Sequence, residues 1–402
     1  MASKKDPIQK VNREVNKAEL TKLVKELVRI QSHRDAPGRE KAVAEFICEF
    51  LTDEGVEARL RKAEKDRPNV ISRIGGTGNG KSLMLNGHTD TVPAFEMDIE
   101  PFAPKVERGR IYGRGALDMK GGLGSMMMTL VAFERARVSL SGELILTAVV
   151  GEEDRSEGTE DIVLHGPKAD MAIVGEPTDL EIQPSHRGLE WLDITFLGKA
   201  AHGGQADKGL NAITMAAKFV RKVEEELQPK LKAKKSRHMM GPSLNMGVIQ
   251  GGQQPSSVAD RCVVKIDRRW VPEESLDQVF QELYDVIDSL KREDPTFKAV
   301  LKRNPSNMKT MTHVPNVVSR NHPLVTILAG AAKKVTGKAP KVTSFWGWTD
   351  AALLTHFGKM PAVIYGPGGA GAHARTEYVL VDDLTTCSRV YATTAMGLCG
   401  IT

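Results

Sequence analysis

The sequence is poor in cysteine and aromatic residues, and it lacks any long hydrophobic run. Four cysteines are spread over 402 residues without a C-x-x-C pair, so we expect neither a disulfide framework nor a zinc finger. No run approaches the roughly 18 apolar residues that a membrane-spanning helix needs. The charged start of the chain lacks the apolar core of a secretory signal. We therefore expect a soluble, cytoplasmic protein that does not bind membranes.

Neither sign of charge dominates the sequence. The formal net charge is +5, with acidic and basic residues interspersed along the chain. A nucleic-acid-binding protein usually carries a dense basic stripe, which this sequence does not show. The small basic excess favours a small anionic substrate and gives no sign of a nucleic-acid partner.

The length predicts two or three domains, or one large domain with another inserted into it. Apolar residues at helical spacing predict helices over 17–30, 39–51, 324–334 and 382–398, with others at 121–135 and from 350. Short apolar runs predict strands at 69–74, 82–86, 144–150, 171–174, 342–345 and 361–364. The continuous runs at 144–150 and 171–174 are typical of strands buried on both faces. We expect an α/β domain with a mainly parallel central sheet, formed by residues 1–184 and 305–402.

The pattern changes over residues 185–304. The strand predicted at 189–197 alternates apolar and polar residues, so one of its faces is exposed. A helix at 211–230, strands at 243–249 and 258–270, a helix at 273–290 and a strand at 298–301 follow. This β-α-β-β-α-β order is that of a split βαβ sandwich. We therefore predict an inserted α+β domain.

Acidic or histidine side chains follow four separate apolar strands. They are His88, the pair Glu152 and Glu153, Glu176, and, after a glycine-rich loop, His373. Ligands of open α/β sheets bind outside the carboxyl ends of the strands, so these residues predict one site. Taken alone, His88 and Asp90 could instead form a loop hydrogen bond while Asp118 caps a helix, and the acids could be solvated loop residues.

The residue types supply a complete ligand set for two metal ions. His88, Asp118 and Glu176 would hold one ion, and Asp118, Glu153 and His373 the other, with Asp118 bridging. Each ion would keep an open position, as catalytic zinc does, and two ions can share and activate a water. Glu152 is left as a general base for that water, and Asp90 is a possible orienter of His88. The alternative to an enzyme is a protein that binds a metal or a peptide without catalysing a reaction.

A second motif competes with this interpretation. Residues 75–82 fit the phosphate-loop spacing G-x-x-x-x-G-K-S. A phosphate loop must open a helix, whereas an apolar run that ends at Asn86-Gly87 follows here. We predict a hairpin turn at 75–80 and no nucleotide hydrolysis.

Seven motifs resemble those of the acetylornithine deacetylase and succinyl-diaminopimelate desuccinylase family, which includes aminoacylases and glutamate carboxypeptidases. They are GHTDTVP (87–93), GRGALDMKGG (113–122), GEED (151–154), GEPT (175–178), AHGG (201–204), DRRWVP (267–272) and AHARTEYV (372–379). The resemblance covers nearly the whole chain, in order.

The resemblance implies a zinc-exopeptidase-like catalytic domain with an inserted lid at 185–304 that often mediates dimers. It implies the ligand set given above, two divalent ions (zinc, with cobalt or manganese as alternatives) and Glu152 as base. His202 would stabilise the oxyanion, and Arg269 and Asn245 would hold a substrate carboxylate or carbonyl. The expected reaction is hydrolysis of an N-acyl amino acid by a metal-bridging water. A di- or tripeptidase or a carboxypeptidase is the alternative.

Overall fold

The computed structural model describes residues 6–402, which form two compact units. The first unit runs to Ser185 and resumes over Asn316–Phe345 and Thr349–Thr402. The second comprises His186–Pro315 and Trp346–Trp348. The limits predicted for an inserted domain, 185 and 304, and its function as a lid remain predictions.

Helices account for much of the chain. The helices of the described residues are α1 (Pro7–Glu14), α2 (Lys17–Arg29), α3 (Lys41–Asp53), α4 (Gly121–Ala136), α5 (Glu157–His165), α6 (Ala212–Lys222), α7 (Gln228–Ala233), α8 (Leu276–Glu293), α9 (Pro323–Thr336), α10 (Ala351–His356) and α11 (Val381–Cys399). Among residues 6–402, none of them combines the length and apolar character needed to cross a membrane.

The strands are mostly short. They are β1 (Glu57–Glu64), β2 (Arg67–Ile74), β3 (Leu83–His88), β4 (Lys105–Glu107), β5 (Arg110–Tyr112), β6 (Leu144–Val149), β7 (Met171–Val174), β8 (Ser185–His186), β9 (Gly188–Leu197), β10 (Ser243–Gly251), β11 (Arg261–Trp270), β12 (Ala299–Arg303), β13 (Asn316–Val317), β14 (Ala362–Ile364), β15 (Gly369–Ala370) and β16 (Tyr378–Leu380).

The first unit is built on a six-stranded sheet in the order β1-β2-β6-β3-β7-β14. Strands β6, β3, β7 and β14 are parallel neighbours; β2 pairs antiparallel with β6, and β1 pairs antiparallel with β2 at the edge of the sheet. Every residue of the four parallel strands is buried. Since successive side chains of a strand point to opposite faces, both faces are covered, as the continuous apolar runs predict. The four parallel strands all end at the same edge of the sheet.

Helices cover this sheet with an apolar core. Helix α4 packs against β3 and against α11, and nearly all of its side chains are buried. Helix α2 begins at Asn16, whose side chain accepts hydrogen bonds from the amides of Ala18 and Glu19, and it buries one apolar face. This packing fixes the strand ends, and with them the loops that follow.

A second, four-stranded sheet of the first unit has the order β15-β16-β5-β4. Its central pair is antiparallel, with Tyr112 of β5 opposite Tyr378 of β16. The loop that contains Asp118 leaves β5, and the loop that contains His373 connects β15 to β16. The small sheet therefore brings the stems of these two loops side by side.

The second unit contains an antiparallel sheet in the order β10-β11-β9-β12. Together with α6 and α8 it has the β-α-β-β-α-β order predicted from the sequence. Its core packs residues such as Ile194, Phe219 and Leu283 between sheet and helices. The alternating burial along β11 leaves the other face of the sheet more open.

Two local predictions were wrong. The loop at 75–80 is not a hairpin turn, because β6 lies between β2 and β3 in the sheet. The segment 342–345 forms isolated bridges at Val342, paired with Ile182, and at Phe345, and no strand. The helix predicted at 211–230 is confirmed: α6 continues through a π-helical turn at Val223–Leu227 into α7, where Pro229 lacks an amide hydrogen.

Candidate metal centre and catalytic site

His88 is the last residue of β3, and only 1% of its surface is exposed. Its Nδ1 lies 2.9 Å from the main-chain carbonyl oxygen of Asp90. A carbonyl can only accept, so Nδ1 carries the proton of the neutral ring. Nε2 is then left with its lone pair and faces the carboxylates of the site. This is the tautomer that a metal-ligating histidine requires.

Asp118 lies between the two histidines. Its Oδ1 is 3.2 Å from Nε2 of His88, and its Oδ2 is 3.3 Å from Nε2 of His373. One carboxylate thus presents one oxygen to each imidazole. This is the arrangement expected of a bridging ligand.

Each histidine also has a glutamate of its own. Nε2 of His88 is 3.6 Å from Oε1 of Glu176, which follows β7. Nε2 of His373 is 3.0 Å from Oε1 of Glu153, which follows β6. The side chains therefore gather in the two groups of three predicted from the sequence, with Asp118 common to both.

Glu152 lies on the His88 side of the cluster. One of its carboxylate oxygens lies within 4.8 Å of ligand atoms of both His88 and Glu176. Similarly spaced atoms are offered by His88, Asp118 and Glu153. Because Glu152 and Glu153 are neighbours in the chain, they reach the cluster at different points.

Two glycines shape the loops that carry these acids and His373. Gly151 has a φ of +79°, and a Cβ there would lie 2.2 Å from Oε2 of Glu157. Gly371 has a φ of +86°, and a Cβ there would lie 1.8 Å from the carbonyl oxygen of Thr376. Only glycine fits both the conformation and the space. The chain can therefore turn sharply just before Glu152 and just before His373.

Asp90 has a wider role than the orienter of His88 predicted from the sequence. Its Oδ1 is 3.5 Å from Nδ1 of His88, and the closer contact of that nitrogen is with the carbonyl oxygen of Asp90. The Asp90 carboxylate accepts hydrogen bonds from the amides of Gly151, Glu152 and Glu153, at 3.0, 3.2 and 3.0 Å. Asp90 therefore also holds the turn that carries the predicted base.

Three of the clustered acids have raised pKa values. Burial, reinforced by Asp118, raises the pKa of Glu176 to about 8, with His88 opposing. Burial and the charge of Glu176 raise the pKa of Glu152 well above its ordinary value. Burial and Asp118 raise the pKa of Glu153 as well. Carboxylates crowded into one buried place cannot all be ionised cheaply.

The pKa shifts of the two histidines and of Asp118 instead favour their charged forms. Burial opposes the charged form of Asp118, but its hydrogen bonds with His373 and His88 hold its pKa below the usual range. Hydrogen bonds to Asp118 and Glu153 raise the pKa of His373 to about 10. Burial opposes a charged His88, yet the surrounding carboxylates raise its pKa well above 6.5. The cluster attracts positive charge strongly.

This donor set fits divalent metal ions. Imidazole nitrogens and carboxylate oxygens without a thiolate suit zinc, cobalt or manganese. Cations bound among the acids would relieve the repulsion that raises the pKa of Glu176 and Glu153. The site is deeply buried at His88, whereas the side chain of His373 is 50% exposed, so one side remains open to small molecules.

The other three predicted site residues belong to the second unit. His202 is exposed and precedes the turn Gly203–Lys208, where its Nδ1 accepts the amide hydrogen of Gly204 at 3.1 Å. Asn245 lies on β10 directly opposite Asp267 of β11. Arg269 lies two residues beyond Asp267 and pairs with both of its carboxylate oxygens, at 2.7 and 3.0 Å.

The sequence did not single out Glu377 and Arg114. Glu377 is fully buried and accepts hydrogen bonds from the amides of Leu117 and Asp118. Both residues lie inside the quoted motifs AHARTEYV and GRGALDMKGG, and an unexplained charge in each motif was the only signal available.

Several known proteins resemble this chain in sequence. The model of Peptidase family M20/M25/M40 matches residues 84–397. An N-formyl-4-amino-5-aminomethyl-2-methylpyrimidine deformylase of Bacillus subtilis is 30% identical over 401 residues, 94% of each chain. An acetylornithine deacetylase of Myxococcus xanthus is 31% identical over 356 residues, 87% of each chain.

A solved tripeptidase of Staphylococcus aureus has the same fold, with a TM-score of 0.79 at 21% identity. The match covers 96% of this chain and 99% of that one. The family resemblance inferred from the motifs is confirmed. The chain belongs to Peptidase family M20/M25/M40.

Proposed function

We propose that this protein is a two-zinc deacylase that hydrolyses the amide bond of a small N-acyl amino acid or related carboxylate. The observation that carries the proposal is the position of Asp118, with one oxygen toward His88 and the other toward His373. Its relatives include a deacetylase and a deformylase, both named for the removal of a small acyl group.

His88, Asp118 and Glu176 would hold one ion, and Asp118, Glu153 and His373 the other. The bound ions would supply Lewis acidity and a more acidic water. Zinc suits this donor set, and cobalt and manganese are the other candidates.

Glu152 is the proposed general base. Its carboxylate borders the predicted ligands without being one of them, and Asp90 fixes its main chain through the amides of the turn. Glu152 accepts a proton from the attacking water and later delivers it to the nitrogen of the leaving amine. A raised pKa suits this second step, because the carboxyl group must hold the proton between the two transfers.

His202 is the proposed oxyanion donor. Because its Nδ1 accepts the amide hydrogen of Gly204, the neutral ring carries its proton on Nε2. That N–H is available to a developing negative charge on the substrate carbonyl oxygen. A single donor of this kind typically contributes about 3–4 kcal/mol to the transition state.

Arg269 and Asn245 are proposed to bind the substrate carboxylate or carbonyl. The bidentate contact with Asp267 uses Nε and Nη2 of Arg269 and holds the guanidinium plane in one orientation. A guanidinium fixed in this way can pair with a substrate carboxylate through its remaining donors. The predicted preference for a carboxylate-bearing substrate rests on this pair.

We also propose a homodimer formed through the second unit, in the cytoplasm. Strand β10 lies at the edge of its sheet, and Val248 and Ile249 on it are 44% and 57% exposed. An edge strand with exposed apolar residues can pair with a second copy of itself. Light scattering of the purified protein distinguishes the dimer from a monomer.

A substrate panel tests the proposed reaction. Metal is removed from the protein with a chelator, zinc, cobalt or manganese is added back, and amine release is measured. The panel contains N-formyl, N-acetyl and N-succinyl amino acids beside di- and tripeptides. We expect no turnover without metal and the fastest turnover on an N-acyl amino acid.

The same panel separates the alternatives. Preference for a di- or tripeptide would identify the runner-up, a peptidase of the same family. Turnover that survives complete metal removal, or zinc uptake without hydrolysis of any amide, would contradict the proposed function.

A further inference from the structure

Glu377 is a buried carboxylate with no part in the predicted ligand set, yet it makes four hydrogen bonds at the edge of that set. Its Oε1 accepts the amide hydrogens of Leu117 and Asp118, at 2.9 and 3.1 Å. Its Oε2 accepts from the amide of Gly115 at 3.0 Å and from Nη1 of Arg114 at 2.6 Å. One side chain therefore holds the whole turn that ends in Asp118.

Arg114 extends this contact to the second histidine loop. It is 1% exposed, and its Nη2 donates to the carbonyl oxygen of Ala374 at 3.1 Å. Ala374 follows His373 directly, and Glu377 lies three residues beyond Ala374 in the same loop. The Arg114–Glu377 pair thus joins the turn that carries Asp118 to the loop that carries His373.

The pairing of two strands brings the Asp118 turn and the His373 loop close together. Strands β5 and β16 pair with Tyr112 opposite Tyr378, so the two loops start from neighbouring stems. The small sheet sets their approximate distance. The main-chain hydrogen bonds of Glu377 then fix the orientation of the turn itself, to which the Asp118 side chain is attached.

Asp90 provides an independent comparison within the same site. It follows His88 by two residues and accepts three successive amides of the turn that carries Glu152 and Glu153. Glu377 follows His373 by four residues and accepts three amides of the turn that carries Asp118. Each histidine loop therefore supplies a carboxylate that holds an acidic loop of the site.

We propose that Glu377, paired with Arg114, is a positioning residue of the metal centre, and that metal affinity depends on it. The inference rests on the two-metal site of the proposed function. A bridging carboxylate must direct each oxygen at a different ion, so a small rotation of its turn weakens both sites together. Residues that orient metal ligands typically contribute about 10- to 100-fold in affinity.

The test is the zinc affinity of the variant Glu377→Gln. A glutamine places an NH₂ group opposite either two amide donors or the pair formed by Arg114 and the Gly115 amide, so it cannot satisfy the turn. The metal-free full-length protein is titrated with zinc against a chromophoric chelator. We expect both ions to bind at least 10-fold more weakly than in the wild type.

Glu190→Gln is the matched control. Glu190 is equally buried and pairs with Arg303 at 2.6 and 3.2 Å, but it belongs to the second unit. We expect this change to lower the unfolding temperature and to leave zinc affinity unchanged. Zinc affinity therefore distinguishes positioning from a merely structural contribution.

Arg114→Lys provides a second variant if Glu377→Gln does not fold. It keeps the positive charge beside Glu377 but lacks the second guanidinium nitrogen that donates to the carbonyl oxygen of Ala374. We expect a smaller loss of zinc affinity, a few-fold, at both sites. Wild-type zinc affinity in either folded Glu377→Gln or folded Arg114→Lys would overturn the role of the pair. A wild-type protein that binds no zinc would instead refute the metal centre of the proposed function.

Discussion

The two units use their sheets in different ways. In the first unit, His88, Glu152, Glu153 and Glu176 follow the ends of parallel strands that are buried on both faces. In the second, Asn245 and Arg269 lie along one face of an antiparallel sheet, whereas His202 precedes a turn. Neighbouring parallel strands end together, so the residues that follow them converge on one point. In contrast, the side chains on one face of a sheet are spaced apart over its surface.

The chemistry of the two units follows this geometry. The converging ends of the first unit concentrate acids around His88 and Asp118, which favours cations. On the open face of the second unit, Asn245, Asp267 and Trp191 occupy opposite positions on three strands, and Arg269 lies beside them. A point of high charge density suits metal ions, whereas spaced donors suit the recognition of a substrate.

The two units also carry local clusters of opposite charge. Burial and the nearby Arg269 and Arg268 lower the pKa of Arg187 in the second unit. Like charges thus crowd each other in both units, acids in the first and guanidinium groups in the second. We expect changes at the metal centre of the first unit to affect the chemical step and changes on the sheet face of the second to affect substrate binding.

The largest expected effect is that of Glu152→Gln in the first unit. The amide is isosteric but cannot accept the proton of the attacking water, so kcat should fall about 10³-fold. The metal content measured by atomic absorption should remain two ions per chain. A variant with near-normal turnover, or one that has lost its metal, would remove Glu152 from the role of base.

Arg269→Ala in the second unit should have a smaller effect of a different kind. Loss of a charged hydrogen-bond partner costs about 1.5–3 kcal/mol, so KM for a carboxylate-bearing substrate should rise about 10- to 100-fold. We expect kcat to change little, as measured by steady-state kinetics. An equal loss of kcat would show that the sheet face of the second unit does not act in substrate recognition alone.

The smallest expected effect concerns the stability of the second unit in acid. Burial, with Arg303 and Arg269, lowers the pKa of His313 to about 3 from 6.5. Below pH 6.5 the unfolded chain binds a proton that the folded one excludes, so stability falls as the pH falls toward 3. Between pH 7 and 5.5 this costs about 1.3 kcal/mol.

Replacement of His313 by Asn should remove that part of the acid sensitivity, measured by urea unfolding at both pH values. The exposed His238 serves as the control position, and His238→Asn should retain the wild-type difference. An undiminished pH dependence in His313→Asn would show that the buried imidazole is not its source.

The sequence alone was sufficient for the parallel strands and for the residues that follow them. A continuous apolar run such as 144–150 is a local pattern, and so is the glycine that stops it before Glu152. Local patterns also predicted the β-α-β-β-α-β order of the second unit. They failed for 75–80, where a turn between two strands looks the same whether or not another strand lies between them.

Only the tertiary structure decided which side chains meet. Asp90 holds the turn at 151–153, and Glu377 holds a turn some 260 positions earlier in the chain. Both carboxylates are bonded to main-chain amides, and every residue except proline has an amide to offer. Such contacts leave no residue pattern at the receiving end, so they depend on strand pairing and loop geometry that only the folded chain defines.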